Sequence, residues 1–235
     1  MKKIWFLSIL SLISISVFAQ TQAFDELLHK HVNQQGWVDY EGFKKDEVKL
    51  DQYLDFLNRQ NINVLGVKAQ KAMWINAYNA YTIKLILNHY PLKSILDIKE
   101  KEKKAWDISL AKVGGKIYTL NHIEHQILRK KFKDPRIHVG VNCASISCPA
   151  IPNHAFSVKN IDHLLTLGMK RFVNDVQRNT LQTQKVELSQ IFNWFKDDFT
   201  AKGSLITFIN TYSKVKIEEN AVVSFKEYNW NLNKQ

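Results

Sequence analysis

The stretch that most constrains this fold is a long helix whose apolar side chains fall on every face. The helix is predicted over about residues 67–89, and from Ala72 to Leu87 apolar or aromatic residues occupy all of its sides. A helix that is apolar all round is buried in a protein rather than laid on its surface. The sequence therefore predicts a domain built around one central helix.

Two asparagines interrupt the apolar surface of this helix. Asn76 and Asn79 are three residues apart, so their side chains lie on one face. A buried amide needs hydrogen-bond partners, so the pair either anchors neighbouring backbone or orients a ligand. Both interpretations remain open. Asn76, Asn79 and the nearby Trp74 are therefore candidate site-orienting residues.

Helices predominate in the rest of the pattern. Apolar residues recur at helical spacing over about 24–35, 46–59, 121–131, 160–177, 190–199 and 204–212. A hairpin that turns at Gly-Gly is predicted over 106–120, and further strands over 137–142, 180–188 and 221–225. Strands that are few and hairpin-like predict an α+β fold, with a small and mostly antiparallel sheet in a helix-rich single domain.

The first nineteen residues have the pattern of a secretory signal peptide. Lys2 and Lys3 precede the apolar run Ile4–Val17, and Val17-Phe18-Ala19 fits a cleavage site before Gln20. No later stretch is long and apolar enough to span a bilayer. We therefore expect residues 20–235 to form one exported domain, in the periplasm or outside the cell.

Charge and motif content narrow the function classes. The net charge is +11, but the lysines are scattered and no aromatic-basic groove motif accompanies them, so nucleic acid is not an expected partner. The sequence contains no phosphate-binding glycine loop, serine-nucleophile elbow or H-E-x-x-H motif, and we expect no cofactor. A peptide or a cell-envelope polymer is the partner that an exported location favours.

Both cysteines lie in one short segment, residues 135–149, which reads P-R-I-H-V-G-V-N-C-A-S-I-S-C-P. Apolar residues alternate with polar ones up to Asn142, which predicts a strand that delivers Cys143 into a tight turn closed by Pro149. Such a segment can carry a reactive thiol, a short disulfide to Cys148, or half of a metal site. All three chemistries remain open at this point.

The thiol hypothesis needs a base within hydrogen-bond reach of Cys143. On a continuous strand His138 would lie about 16 Å from Cys143 and on the opposite face, so the two could not form a dyad. His125, on the preceding predicted helix, is the preferred base. Its neighbour Glu124 sits where an acid would complete a capping box with Asn121, so Glu124 belongs either to the cap or to the site.

Two other classes of protein compete with the enzyme hypothesis. The first is a zinc protein whose four ligands would be His125, His138, Cys143 and Cys148. The second is a non-enzymatic binding or structural module of the cell envelope, in which a Cys143–Cys148 disulfide closes a turn.

Several long motifs in order resemble the family called domain of unknown function 547 (DUF547). They are A-M-W-I-N-A-Y-N-A-Y-T-I-K-L-I-L, G-G-K-I-Y-T-L-N-H-I-E-H-Q-I-L-R, D-P-R-I-H-V-G-V-N-C-A-S-I-S-C-P and I-F-N-W-F-K-D-D-F. W-V-D-Y near the start and E-Y-N-W-N-L-N near the end also fit, so the resemblance covers nearly all of residues 20–235. The resemblance implies an exported bacterial protein and favours Glu124, His125 and Cys143 as the core of any shared site.

The order of elements is also similar to that of papain- or transglutaminase-like enzymes, although the central helix here carries asparagines where those enzymes have cysteine. The leading hypothesis is a cysteine-dependent hydrolase or acyltransferase that acts on amides of peptide or cell-envelope origin. Its catalytic residues would be the nucleophile Cys143, the base His125 and Glu124. The residues expected to orient the site or the substrate are Asn76, Asn79, His138 and Trp74.

Overall fold

The computed structural model of the protein describes residues 21–235. The predicted signal peptide, residues 1–19, lies outside the described residues. The α-helices are α1 (21–31), α2 (Tyr40–Lys45), α3 (Glu47–Asn58), α4 (Val67–His89), α5 (Ile161–Val173), α6 (Gln190–Trp194), α7 (Lys196–Phe199) and α8 (Leu205–Asn210). A π-helix spans His122–Phe132, and short 3₁₀ turns lie at Ile62–Val64, Ile95–Asp97, Ala105–Asp107 and Pro135–Val139.

The strands are short and form three small sheets. Their bounds are β1 (Lys99–Glu100), β2 (Lys103–Lys104), β3 (Ala111–Val113), β4 (Lys116–Tyr118), β5 (Thr180–Leu181), β6 (Lys185–Leu188) and β7 (Val222–Phe225). The pairs β1–β2, β3–β4 and β5–β6 are antiparallel, and β7 joins β6 in parallel. The α+β class with mostly antiparallel pairing is confirmed, although the strands are spread over three sheets.

The central helix is α4, as its sequence predicts. Every residue from Ala72 to Leu87 is buried apart from Lys84. The Lys84 ammonium is held by Glu47 Oε1 at 2.9 Å and by Asp51 Oδ1 at 2.5 Å, so the polar exception on the helix is ion-paired. Helices α2 and α3, strand β3 and the π-helix all pack on α4. Burial of this whole surface is what fixes the main core around one element.

A second apolar cluster lies beside the main core. It is built by α5, β6 and the short helices α6–α8, and its buried members include Met169, Phe172, Val186, Phe192 and Ile209. Val139 also belongs to this cluster, whereas its neighbours Ile137 and Val141 belong to the main core. The segment that carries the cysteines therefore runs along the boundary between the two clusters.

The strand predicted over 137–142 is wrong. Residues Pro135–Val139 form a 3₁₀ helix, which the Asp134 side chain caps by accepting the backbone N–H of Arg136 at 3.0 Å. Ile137, His138 and Val139 are all buried, because the segment has a core on each side. A tight turn that packs against a core on each side can therefore show the same alternation of apolar residues as a strand. The spacing of apolar residues alone does not distinguish the two.

The backbone after this turn is paired by a side chain instead of by a neighbouring strand. The Asn79 amide donates to the Gly140 carbonyl at 2.8 Å, and its Oδ1 accepts the Asn142 N–H at 2.9 Å. All three residues are buried. Buried backbone groups need such partners, so Asn79 does for this segment what a strand neighbour would have done.

The capping box predicted at Asn121 and Glu124 is also wrong. Asn121 has helical backbone angles and makes no cap; its amide donates instead to Asp107 Oδ1 at 2.6 Å. The cap is supplied by Thr119, whose Oγ1 accepts the His122 N–H at 3.0 Å. Glu124 therefore takes no part in a helix cap, and its side chain is buried against Tyr78 of α4.

Residues 21–235 include no helix that combines the length and the apolar character needed to cross a bilayer.

Replacing Asn79 with alanine is expected to lower the free energy of unfolding by about 2–5 kcal/mol, because one buried carbonyl and one buried N–H each lose their partner. Urea denaturation of the folded chain measures the loss. Asn88→Ala is the matched control, since Asn88 is exposed on the same helix. A loss no larger than that of Asn88→Ala would contradict the anchoring role of Asn79.

Candidate active site

Cys143 opens onto a small cavity of about 160 Å³. Four other polar residues singled out from the sequence line the same cavity, namely Glu124, His125, His138 and Cys148. Aromatic side chains form much of the remaining wall, contributed by Tyr78, Trp106, Trp194, Phe195, Tyr228 and Trp230. The π-helix, the cysteine segment, α6 and the C-terminal tail thus converge on one pocket.

The loop from Asn142 to Pro149 is closed by a single buried side chain. The Asn142 amide donates to the Pro149 carbonyl at 2.8 Å, and its Oδ1 accepts the Ala144 N–H at 2.9 Å. Ala144 has a φ of 61°, the left-handed region that side chains other than glycine rarely adopt. Such strain, commonly worth about 1–3 kcal/mol, persists only where surrounding contacts impose it. Here it fixes the direction of the adjacent Cys143.

The C-terminal tail clamps this loop from outside. Ile146 N–H donates to the Asn231 carbonyl at 2.8 Å, and Asn233 N–H donates to the Ala144 carbonyl at 3.1 Å. The Asn233 amide also reaches Asn142 Oδ1 at 3.2 Å. These bonds place the tail residue Tyr228 directly over the thiol.

The Cys143 sulfur is surrounded by hydrogen-bond donors. Its Sγ lies 3.1 Å from Ser145 Oγ and 3.3 Å from the Tyr228 hydroxyl, and these two hydroxyl groups lie 3.0 Å from each other. Hydrogen bonding with Cys148 first, and then with Ser145 and Tyr228, outweighs burial and lowers the pKa of Cys143 below the ordinary thiol value. A lowered pKa raises the fraction of thiolate, which is the nucleophilic form.

Cys148 has the opposite character. It is buried, and burial together with the neighbouring Cys143 raises its pKa well above the ordinary thiol value. Its Sγ accepts the Cys143 N–H at 3.1 Å. Both cysteines are free in the structure. The pair thus consists of one activated thiol and one protonated thiol that supports it.

Glu124 lies buried in the wall of the pocket. Burial first, and then the negative charge of Cys143, raise its pKa to about 7, while a hydrogen bond from Tyr78 acts in the opposite direction. A carboxyl group with this pKa exchanges its proton near neutral pH, which suits a general acid or base. The side chain is therefore a site residue rather than a helix cap.

His138 lines the pocket. The sequence prediction sets it aside only as the base for Cys143, on the geometry of a strand that does not form. Its ring is 2% exposed and stacks on Phe195 with ring centroids 4.0 Å apart. Burial lowers its pKa and favours the neutral ring, whose Nε2 donates to Asp198 Oδ2 at 2.7 Å. Its Nδ1, left as the acceptor, lies 3.9 Å from Glu124 Oε1.

Arg129 links the two histidines. Its guanidinium donates to both oxygens of Asp198, at 2.6 and 3.1 Å, and its Nη1 lies 3.1 Å from His125 Nδ1. An arginine can only donate, so His125 Nδ1 accepts and the neutral ring carries its proton on Nε2. Burial and the charge of Arg129 lower the pKa of His125 and so stabilise this neutral form. In this tautomer the donor of the His125 ring is Nε2–H, and the residue lines the pocket.

Two of the candidate orienting residues, Asn76 and Trp74, lie outside the thiol pocket. Asn76 binds the backbone of Phe156, donating to its carbonyl and accepting its N–H, each at 2.8 Å. Trp74 packs edge-on against Tyr118 with centroids 5.2 Å apart, beside the β3–β4 hairpin. Neither side chain lines the thiol pocket. Asn79 affects the pocket indirectly, because its side chain bonds to the backbone of Gly140 and Asn142, just before Cys143.

The four proposed zinc ligands do not form one ligand cluster. Among residues 21–235, the group of three or more such side chains whose ligand atoms come together consists of Asp25, His29 and His154. Because the zinc hypothesis requires all four proposed ligand atoms to meet, the described geometry favours the thiol reading of Cys143.

Sequence reasoning missed several residues that complete the pocket, namely Tyr78, Arg129, Ser145, Asp198 and Tyr228. All of them lie inside motifs that the family resemblance already marked, and Ser145 is two residues from Cys143. Their roles depend on contacts between segments up to 85 residues apart in sequence, as in the Cys143–Tyr228 pair. No spacing rule along the chain reveals such contacts.

Glu124→Gln is expected to flatten the pH dependence of stability between about pH 5 and pH 8. The folded pKa of about 7 lies above the ordinary value of 4.5, so the native state binds this proton more tightly than the unfolded chain does. That contribution is complete at low pH and is lost as the pH rises through 7. Relative to the wild type, the variant should gain about 1–3 kcal/mol at pH 8.

Urea unfolding of both proteins across this pH range measures the difference. Glu102→Gln is the control, because Glu102 is exposed in the β1–β2 turn. If Glu124→Gln and Glu102→Gln show the same pH profile, Glu124 does not hold a raised pKa in the folded protein.

Comparison with known proteins places this pocket in a family context. Searches of curated proteins and of solved structures returned no match to the chain. A family model described as "Protein of unknown function, DUF547" matches residues 62–173, a segment that runs from the start of the 3₁₀ turn before α4 to the end of α5. It contains Glu124, His125, His138 and both cysteines, whereas Asp198 and Tyr228 lie beyond it. The chain contains a DUF547 domain.

Proposed function

We propose that this protein is a cysteine-dependent hydrolase or acyltransferase with Cys143 as its nucleophile. The observation that carries the proposal is the pair of hydroxyl groups, from Ser145 and Tyr228, that lie 3.1 and 3.3 Å from the Cys143 sulfur, because donors at this distance favour the thiolate. Burial alone would have raised the pKa of Cys143, whereas its pKa is lowered. The thiolate also faces a cavity rather than packed core.

The reaction follows from the proton positions in the pocket. The Cys143 thiolate attacks the carbonyl carbon of an amide, and the electron pair of the C=O bond moves to oxygen. When the tetrahedral intermediate collapses, the C–N bond breaks and the amine leaves with a proton from Glu124. The resulting thioester is attacked by water or by an acceptor amine, which returns its proton to the Glu124 carboxylate and frees the thiolate.

The two histidines have different parts in this scheme. His125, with its proton on Nε2, serves as a donor toward the developing oxyanion rather than as the base that its position in the sequence suggested. His138 is held by Asp198 and presents Nδ1 toward Glu124, so it orients the carboxyl group that moves the proton. Arg129 fixes both rings through Asp198 and His125.

The pocket entrance favours a substrate with a flat or apolar group next to the amide. Trp194 is 46% exposed at this entrance, and Trp194, Tyr228 and Trp230 contact one another with centroids 4.5–5.7 Å apart. Such a platform binds apolar side chains and sugar rings by stacking. With a cavity of about 160 Å³ behind it, the site suits one acyl group of a peptide or cell-envelope polymer.

The signal-peptide pattern of residues 1–19 supports the further proposal that the enzyme acts after export, in the periplasm or outside the cell. Fractionation of cells that express the full chain, with the N-terminus of the exported form read by mass spectrometry, tests it. Cleavage after Ala19 is expected.

A second candidate function is thiol–disulfide exchange. It is favoured by the pairing of a low-pKa thiol, Cys143, with a buried high-pKa thiol, Cys148, whose Sγ lies within 3.1 Å of the Cys143 backbone nitrogen. In that case Cys148 would resolve a mixed disulfide formed on Cys143, and Cys148→Ala would trap the mixed disulfide.

The acyl-transfer proposal is tested with two small substrates that differ in the leaving group. p-Nitrophenyl acetate is expected to give a burst of p-nitrophenol and an acetyl group on Cys143, located by peptide mass spectrometry. Cys143→Ala should remove both. With an N-acyl p-nitroanilide, whose amine needs a proton to leave, Glu124→Gln should slow turnover by about 10²–10⁴. The ester burst of that variant should be largely retained, because p-nitrophenolate leaves without a proton.

Glu102→Gln is the matched control and should behave as wild type with both substrates. An acetyl adduct that persists elsewhere after Cys143→Ala, with an undiminished burst, would show that Cys143 is not the nucleophile. Absence of any acyl adduct, together with a Cys143–glutathione disulfide trapped by Cys148→Ala, would support thiol–disulfide exchange instead.

A further inference from the structure

A second cluster of chemically active side chains lies on α1 and the loop before α5. Asp25 and His29 are four residues apart on one face of α1, and His154 reaches them from the loop. One ligand atom from each of the three lies within 4.8 Å of the other two. The thiol pocket uses none of these residues, so their function is a separate question.

The loop that carries His154 is held in place from both sides. Ala155 N–H donates to Asp25 Oδ1 at 2.7 Å, and the Asn76 amide of α4 binds both backbone groups of Phe156. Asn160 adds a bond from its amide to the Ala155 carbonyl at 3.0 Å. The buried Asn76, which takes no part in the thiol pocket, therefore fixes the segment next to His154.

The ligand atoms of the cluster lie close enough for one ion to draw them together. His29 Nδ1 lies 3.3 Å from Asp25 Oδ2, and His154 Nδ1 lies 3.5 Å from Asp25 Oδ1. Both distances are longer than an ordinary hydrogen bond of about 2.9 Å. Ligand atoms around a tetrahedral Zn²⁺, with bonds of about 2.0–2.1 Å, are separated by roughly 3.3 Å, so small side-chain rotations would bring one oxygen of Asp25 and both rings onto one ion. The two imidazoles already meet edge to face, with centroids 4.1 Å apart.

We propose that Asp25, His29 and His154 form a binding site for a divalent transition-metal ion of the zinc class. Two imidazoles and one carboxylate are a common three-ligand set for Zn²⁺, and the fourth position is left for water or a ligand. In the free protein His29 Nδ1 also lies 3.1 Å from the Asp25 carbonyl, a contact that the metal bond replaces.

The open position borders an apolar cavity. Asp25 and His154 line a groove of about 820 Å³ together with Tyr53, Phe56, Leu65, Met73 and Phe156. An ion at its edge would offer a fixed positive charge to a ligand whose apolar part occupies the groove. The site is independent of the thiol pocket, so failure of one proposal leaves the other standing.

Binding of Zn²⁺ alone is measured by isothermal titration calorimetry on residues 20–235, which contain every element described above. A Cys143→Ser background keeps the Cys143 thiol from competing for the metal. One zinc per chain is expected, and His29→Ala and His154→Ala should each weaken binding by about tenfold or more. Both side chains are more than 40% exposed, so either variant should fold, which circular dichroism verifies.

His163→Ala is the control, since His163 is exposed on α5 outside the cluster. Co²⁺ substituted for zinc should give the absorption of a nitrogen- and oxygen-ligated ion without a thiolate charge-transfer band. Absence of stoichiometric zinc binding, or equal binding by His29→Ala, His154→Ala and His163→Ala, would overturn the proposal. A thiolate band would do the same, because it would place the metal on the remaining cysteine.

Discussion

The thiol pocket depends on the two hydrogen bonds that Asn79 makes to the backbone of the cysteine segment. They join the most deeply buried element, α4, to a segment that has no strand neighbour of its own. Asn142 then closes the loop, and the tail binds its outer edge. Each step is a buried polar contact, and such contacts cost stability when one partner is removed. The position of Cys143 is therefore determined by the core of the protein rather than by a flexible loop.

Charge in the pocket is arranged as a chain. Arg129 pairs with Asp198, Asp198 accepts from His138, and His138 faces Glu124, whose raised pKa reflects burial and the nearby Cys143. The first pair is permanently ionised and holds the geometry. Glu124 and Cys143 are the two groups that titrate near neutrality, one with its pKa raised and the other with its pKa lowered. Opposite shifts in neighbouring groups are how one site supplies both a nucleophile and a proton.

The sequence correctly predicted the elements that form because of residues close together along the chain. The buried helix α4 follows from its apolar faces, and the β3–β4 hairpin follows from Gly114 and Gly115, which both have positive φ. The strand predicted over residues 137–142 was wrong, because tertiary packing on two sides produces the same apolar pattern without a strand. Residues 137–142 alternate because they lie between two cores, so the strand geometry that argued against His138 as the base for Cys143 does not apply. The contacts of Asp198 and Tyr228 join distant segments, so only the folded chain reveals them.

The most direct test of the central claim is the rate of Cys143 alkylation by iodoacetamide as a function of pH, read by intact mass on protein purified without reductant. The structure predicts rapid labelling of Cys143 alone, with an apparent pKa well below the ordinary thiol value, and a shift back toward that value in Tyr228→Phe. Tyr212→Phe, on a tyrosine outside the pocket, should leave the profile unchanged. Labelling with a pKa near the ~8.5 of a free thiol, unaffected by Tyr228→Phe, would contradict the account.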